Sequence, residues 1–172
     1  MLLLPDELSD EIRYGRDQAH LRIFVSSKMD GSLDDERKLT AKAVESLAAH
    51  QAWWWERDAP AGVLHSVREC VQIAATSDGL ILLVAGPLSE IIKAEYSAAK
   101  EAEAERYIFI RTPDELPDEV ETFINAERAS VVTRNFQNAD ELEAHVYRSL
   151  TSSAIRAHRE VQLERRRKRN ER

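Results

Sequence analysis

The chain has 172 residues, 43% of them hydrophobic, which is enough for one domain with a real core and unlike the composition of a disordered protein. Its formal charge of −7 combines an acidic body with a basic end: residues 156–172 carry eight Arg or Lys against three Glu and no aromatic residue, which argues against a nucleic-acid groove and for a solvated helical linker. A single cysteine, Cys70, cannot build a thiolate metal site, MLLLP is too short for a signal peptide, and no stretch approaches the ~20 apolar residues of a membrane span, so a cytoplasmic protein with no membrane partner is expected.

Residues 1–20 read as an irregular or short helical lead-in. LRIFVSS predicts a strand over 21–26, and SLDDERKLTAKAVESLAAH predicts a helix, with Leu39, Ala43, Val44 and Leu47 at helical spacing behind an acidic first turn. AWWWERD predicts a second strand over 52–56 that runs into a Pro/Gly turn, with Trp54 on one sheet face and Trp53 and Trp55 on the other. VLHSVRECVQIAATS predicts the next helix, with Cys70 on its core face beside Val63, Val67 and Ala74. GLILLVA predicts a strand over 79–85, and SEIIKAEYSAAKEAEAE a third helix. RYIFIRT predicts a strand over 106–111, stopped by Pro113 and Pro117, and ELPDEVETFINAERA a fourth helix. SVVTRNF predicts a more polar strand over 130–134, and Ala139 to Arg172 predicts one helix that begins with an Asp140 cap and continues to the end.

Regular β/α alternation of this kind predicts an α/β fold, a doubly wound five-stranded parallel sheet of order 2-1-3-4-5 with a long C-terminal helix. Residues 21–150 form the expected domain and 151–172 a basic helical tail or linker. In such a sheet ligands bind beyond the carboxyl ends of the strands, between strands 1 and 3. That rule brings Ser26, Ser27, Gly86 and the first turn of the third helix to one crevice, with Glu56, Arg57 and Asp58 at its rim. Glu95 draws attention there because it falls at helical spacing with Ile91, Ala98, Ala99 and Ala102, on an apolar face.

Other chemistry lacks its signature. No GxGxxG or GxxxxGK[ST] occurs, no G-x-S-x-G elbow surrounds a serine, and His20, His50, His65, His145 and His158 are scattered without metal-ligand spacing. Neither a metal nor a cofactor is expected. Structural roles compete for each candidate: Glu95 can pair with an arginine at the sheet edge, Ser26 and Ser27 can turn the chain, the tryptophans can pack the core, and Glu56, Arg57 and Asp58 can solubilise a loop.

From Leu21 to about Phe136 the chain resembles the TIR-like superfamily: IFVSSKMD followed by LDDERK, ERDAPAG after the second strand, and SDGLILLVAGPLSEIIKAEYSAAKEA for the third strand and its helix. The resemblance implies that Glu95 is the catalytic residue of an NAD or nucleotide glycohydrolase, with NAD as substrate. Ser26, Ser27 and Lys28 would hold ribose or phosphate, with Glu56, Gly86 and Ser89 completing the ligand site and one of Trp53 to Trp55 stacking on a base. It further implies an effector in bacterial (anti-phage) defence, active as a homo-oligomer or larger signalling complex through the loop residues Arg57, Asp58, Pro60 and Gly62. The same arrangement is similar to nucleoside deoxyribosyltransferases, and many TIR-like domains are non-enzymatic interaction modules. Both alternatives stay open.

Overall fold

The computed structural model describes residues 19–59 and 66–170; Pro60, Gly62, Val63, His65 and nearly all of the 1–20 lead-in lie outside them. Five strands, β1 (Leu21–Ser27), β2 (His50–Trp53), β3 (Gly79–Val84), β4 (Glu105–Arg111) and β5 (Thr133–Phe136), form one sheet of order β2-β1-β3-β4-β5. Every pairing is parallel, from Leu21 opposite His50 to Arg111 opposite Phe136. The helices are α1 (Asp34–Glu45), the single turn α2 (Trp55–Asp58), α3 (Ser66–Ala75), α4 (Glu90–Glu101), α5 (Asp118–Glu127) and α6 (Ala139–Asn170). The doubly wound α/β fold with a long C-terminal helix is as the alternation predicts.

The central strand β3 is buried at all six positions, which is why GLILLV is a continuous apolar run and not an alternating one. Its side chains divide by parity between two cores. Ile81 and Leu83 join Ile23, Val25, Val44 and Leu142 on the α1/α6 face, while Leu80, Leu82 and Val84 join Phe24, Ile92 and Ile124 on the α3/α4/α5 face.

The observed boundaries correct several expectations. β2 ends at Trp53 and does not continue to 56, because the Asp58 carboxylate accepts the Trp54 amide at 2.9 Å and winds Trp55–Asp58 into a turn of helix. β5 begins at Thr133, since the Ser130 and Val131 amides bond back to the Glu127 carbonyl and belong to the end of α5. α4 stops at Glu101, short of the predicted 105. There Glu103 takes a φ of 60° while the Glu103 and Ala104 amides close on the carbonyls of Lys100 and Ala99, a Schellman ending built without glycine. The start of α6 is capped by Asn138, whose Oδ1 accepts the Glu141 amide at 3.0 Å, and not by Asp140. The inner face of α4 runs through Ile92, Glu95, Tyr96 and Ala99, leaving Ile91 exposed at 41%, and on α3 Val67 is 46% exposed, so it does not share the core face of Cys70.

At 32 residues α6 is about 48 Å long. Its buried residues are Leu142, Val146 and Leu150, all in the first half, whereas Ile155, Val161 and Leu163 are exposed. An exposed ion pair, Arg156 to Glu105 at 3.0 Å, ties the helix to the start of β4. Deletion of residues 157–172 is therefore expected to leave the thermal midpoint nearly unchanged, as for surface changes of less than about 0.5 kcal/mol. A drop of many degrees in a circular-dichroism melt would show that the tail packs on the body. No helix among the described residues is long and apolar enough to cross a membrane.

Candidate functional site

The strand order reverses between β1 and β3, and a cavity of about 510 Å³ opens beside the carboxyl end of β1. Its chemistry follows from strand parity. Ser26 and Ser27 are adjacent, so their side chains leave opposite faces of the sheet, Ser26 toward α4 and Ser27 toward α1. Both are buried, and each meets a charged side chain carried by a helix.

On the α4 side the Ser26 hydroxyl donates to Glu95 Oε2 at 2.6 Å. Glu95 is only 6% exposed and lines the cavity. Burial pushes its carboxyl up to about 7, against the opposing effect of hydrogen bonds from Ser26 and the Cys70 thiol. Cys70, expected as plain core, is buried on the inner face of α3 and also lines the cavity. Its thiol is pushed up to about 12 by burial and then by the Glu95 charge, so it remains a thiol donor and not a nucleophile near neutral pH. The triad of Ser26, Glu95 and Cys70 therefore holds one carboxylate in a fixed orientation, poised between its two protonation states at neutral pH.

On the α1 side Arg37 is buried, with 1% of its side chain exposed. Its Nη1 donates to Ser27 Oγ at 2.5 Å and to the Lys28 carbonyl at 3.0 Å. Its Nη2 donates to Asp34 at 2.5 Å and pairs with Glu56. Its Nε is buried without a hydrogen-bond partner. One guanidinium fork thus joins the end of β1, the start of α1 and the turn α2.

The remaining expected residues divide. Lys28 and Glu56 line the cavity, Lys28 in an ion pair with Asp30 at 2.6 Å. The Lys28 ammonium, followed by the Ser32 hydroxyl and amide, holds the Asp30 carboxyl well below the usual range. Ser89 also lines the cavity, and its hydroxyl caps α4 by accepting the Ile92 amide at 3.3 Å. Gly86, with a φ of 129°, is not among the lining residues.

Of the three tryptophans, Trp55 alone lines the cavity. It meets Trp53 edge-on at 6.4 Å, and Trp53 stacks on Phe24 at 5.0 Å. Trp54 packs on the opposite face beneath the Arg57 guanidinium, which agrees with the expected split of the run. Arg57 and Asp58 stand outside the cavity, where Arg57 binds Asp58, Glu45 and the Ala52 carbonyl. Sequence reasoning missed Arg37 and Asp30 as site residues. For Arg37 a signal existed: with Leu33, Ala41 and Val44 it falls at helical spacing on the buried face of α1, an arginine where an apolar residue is due.

Residues 22–151 match a family described as a domain of unknown function, DUF4062. The chain belongs to that family. Comparison with functionally curated proteins finds no match to this DUF4062 chain in sequence. Among solved structures it is similar to the CMP N-glycosidase BcmB of Clostridium botulinum, with a TM-score of 0.52 and 11% identity over 73% of this chain and 96% of that one. At that identity the likeness speaks for the fold of the DUF4062 domain.

Proposed function

We propose that this DUF4062 domain hydrolyses an N-glycosidic bond, with Glu95 as the catalytic carboxylate. The observation that carries this reading is the placement of Glu95: buried, held by Ser26 at 2.6 Å, and facing a cavity at the carboxyl end of the sheet. Breaking the bond between a base nitrogen and the sugar C1′ sends the electron pair to the base and builds oxocarbenium character on the sugar. A fixed carboxylate in a water-poor wall stabilises that charge. Water then bonds to C1′ and loses its proton, to Glu95 or to solvent. A pyridinium base such as nicotinamide leaves neutral and needs no general acid. A neutral base needs a proton, and the protonated fraction of Glu95 near neutral pH, or the Cys70 thiol through it, is the nearest source. The likeness in fold to a CMP N-glycosidase supports the same reading.

The TIR-like resemblance carries the finer form of the proposal: NAD or a related nucleotide as substrate, a role in bacterial defence, and activity in an assembled state. In that form residues 21–150 are the working unit and 151–172 the tail. Ser26, Ser27, Lys28, Glu56 and Ser89 surround the ligand, Gly86 lies at the edge, and Arg57, Asp58, Pro60 and Gly62 govern assembly. The exposed second half of α6 favours a second reading, a non-enzymatic interaction or oligomerisation module.

Nicotinamide release from NAD, with and without a crowding agent, separates the two readings. Wild type is expected to release it when assembled, and replacement of Gly62 by a bulky residue is expected to lower the rate in a way that high protein concentration partly restores. Absence of release from every base–sugar compound tried, under both conditions, leaves the interaction module in place of the enzyme.

A further inference from the structure

We propose that the cavity recognises base and sugar but no phosphate, so that the part of the ligand it encloses is a nucleoside moiety with a neutral or cationic base. This rests on the N-glycosidic reading above and narrows it, because any phosphate then stays in solvent.

Among the described residues, both cations that line the cavity already hold carboxylates. Arg37 binds Asp34 and Glu56 in addition to Ser27 and the Lys28 carbonyl, and Lys28 pairs with Asp30. Against these two cations the lining itself presents three carboxylates, Asp30, Glu56 and Glu95. A phosphate entering here competes with these carboxylates for the two cations and lies close to their charge, whereas an uncharged sugar meets no such penalty.

Among the described residues, the two long helices that begin beside the cavity open with acidic residues. The N-terminus of α4 borders the cavity, where its Ile92 amide is taken by Ser89 Oγ and its first turn carries Glu90. α1 opens with Asp34, Asp35 and Glu36. Acidic side chains in both first turns oppose the positive helix ends that would otherwise attract a phosphate. The other walls are apolar: Phe24, Met29, Trp55, Ile91 and Ile92. These suit a flat base, and the indole of Trp55 with the Glu95 carboxylate favours one that is positively charged.

Matched ligands differing only in phosphate test this: nicotinamide riboside against nicotinamide mononucleotide and NAD, cytidine against CMP, and adenosine against AMP. Base release is measured by chromatography, and ligand-induced thermal stabilisation of the full chain is measured in parallel. In each set that responds, the phosphate-free member is expected to show kcat/KM at least about tenfold higher and the larger thermal shift. Glu56→Gln, which releases part of Arg37, is expected to narrow that ratio. An equal or better response to the phosphorylated members overturns the inference while leaving Glu95 as the catalytic carboxylate. Larger stabilisation by nucleosides without any base release supports the nucleoside pocket and overturns the glycosidic reading. No release and no stabilisation by any compound overturns both.

Discussion

Replacement of Glu95 by Gln is expected to abolish base release and, at the same time, to stabilise the fold above neutral pH. Gln keeps the size of the side chain and an acceptor for Ser26 but cannot carry the charge that stabilises an oxocarbenium-like sugar, and loss of such an interaction costs on the order of 10²–10³ in rate. The stability effect has the opposite sign. The carboxyl is raised from 4.5 to about 7 by burial, so between those values the folded state binds more protons than the unfolded state and stability falls as pH rises. Above pH 7 the accumulated loss is about 3 kcal/mol. Gln carries no such loss, which at roughly 2–4 °C per kcal/mol places the Glu95→Gln midpoint roughly 6–12 °C above wild type at pH 8. The difference should shrink to about 0.4 kcal/mol at pH 4.5, where the folded carboxyl is protonated and the unfolded one half so. Circular-dichroism melts at the two pH values measure it, and an equal shift at both would show that the Glu95 charge is not the cause. On a pyridinium base, which needs no general acid, the activity of wild type should rise with pH through about 7 and then level, tracking the charged form.

Replacement of Arg37 is expected to damage fold and site together. Its side chain is 1% exposed, while its partners Asp34 and Glu56 are 49% and 35% exposed. On removal of the guanidinium the two carboxylates rehydrate, but Ser27 Oγ and the Lys28 carbonyl lose their donor and a void remains. Arg37→Ala is therefore expected to cost about 3 kcal/mol, the lower end for breaking a buried pair. Arg37→Met fills the void and should cost less. Arg37→Lys keeps the charge but not the planar fork, and cannot hold β1, α1 and α2 at once. Urea denaturation reads the stability order Arg, then Met or Lys, then Ala. Base release should fall at least about tenfold in all three variants, because the end of β1 that carries Ser26 moves with Ser27 and Lys28. Retention of full activity by Arg37→Ala would show that the cluster serves the fold alone.

The legible parts of the site were those a local pattern announces. A carboxylate at an apolar-spaced position of α4 marks Glu95, and two serines closing a strand that is apolar from Ile23 to Val25 mark Ser26 and Ser27. Arg37 carried the same kind of mark, but an arginine beside Asp34, Asp35 and Glu36 also reads as an ordinary charged helix start. Asp30 sits in a loop, where periodicity says nothing. Cys70 was read by its burial, which is right, but its hydrogen bond to Glu95 depends on how α3 and α4 pack. The boundary errors share one cause. β2 and β5 end or begin where a side chain or helix carbonyl takes an amide that strand propensity would assign to the ladder, as Asp58 does at Trp54 and Glu127 at Val131.

By itself the sequence determined the class of fold, because alternating apolar strands and amphipathic helices have few ways to bury their faces, and a strand as apolar as GLILLV must be covered on both sides. It also determined which end of the sheet carries the polar groups, since βα connections leave from the carboxyl ends of strands. Only the tertiary structure decided what those groups do to one another. Whether Ser26 meets Glu95 and Ser27 meets Arg37, or each turns to solvent, depends on the register of β1 and on helices α1 and α4 lying on opposite faces of it. Those are contacts between residues up to 69 positions apart, and the burial that raises the Glu95 carboxyl and ties Arg37 to Glu56 exists only once the two layers close on the strand.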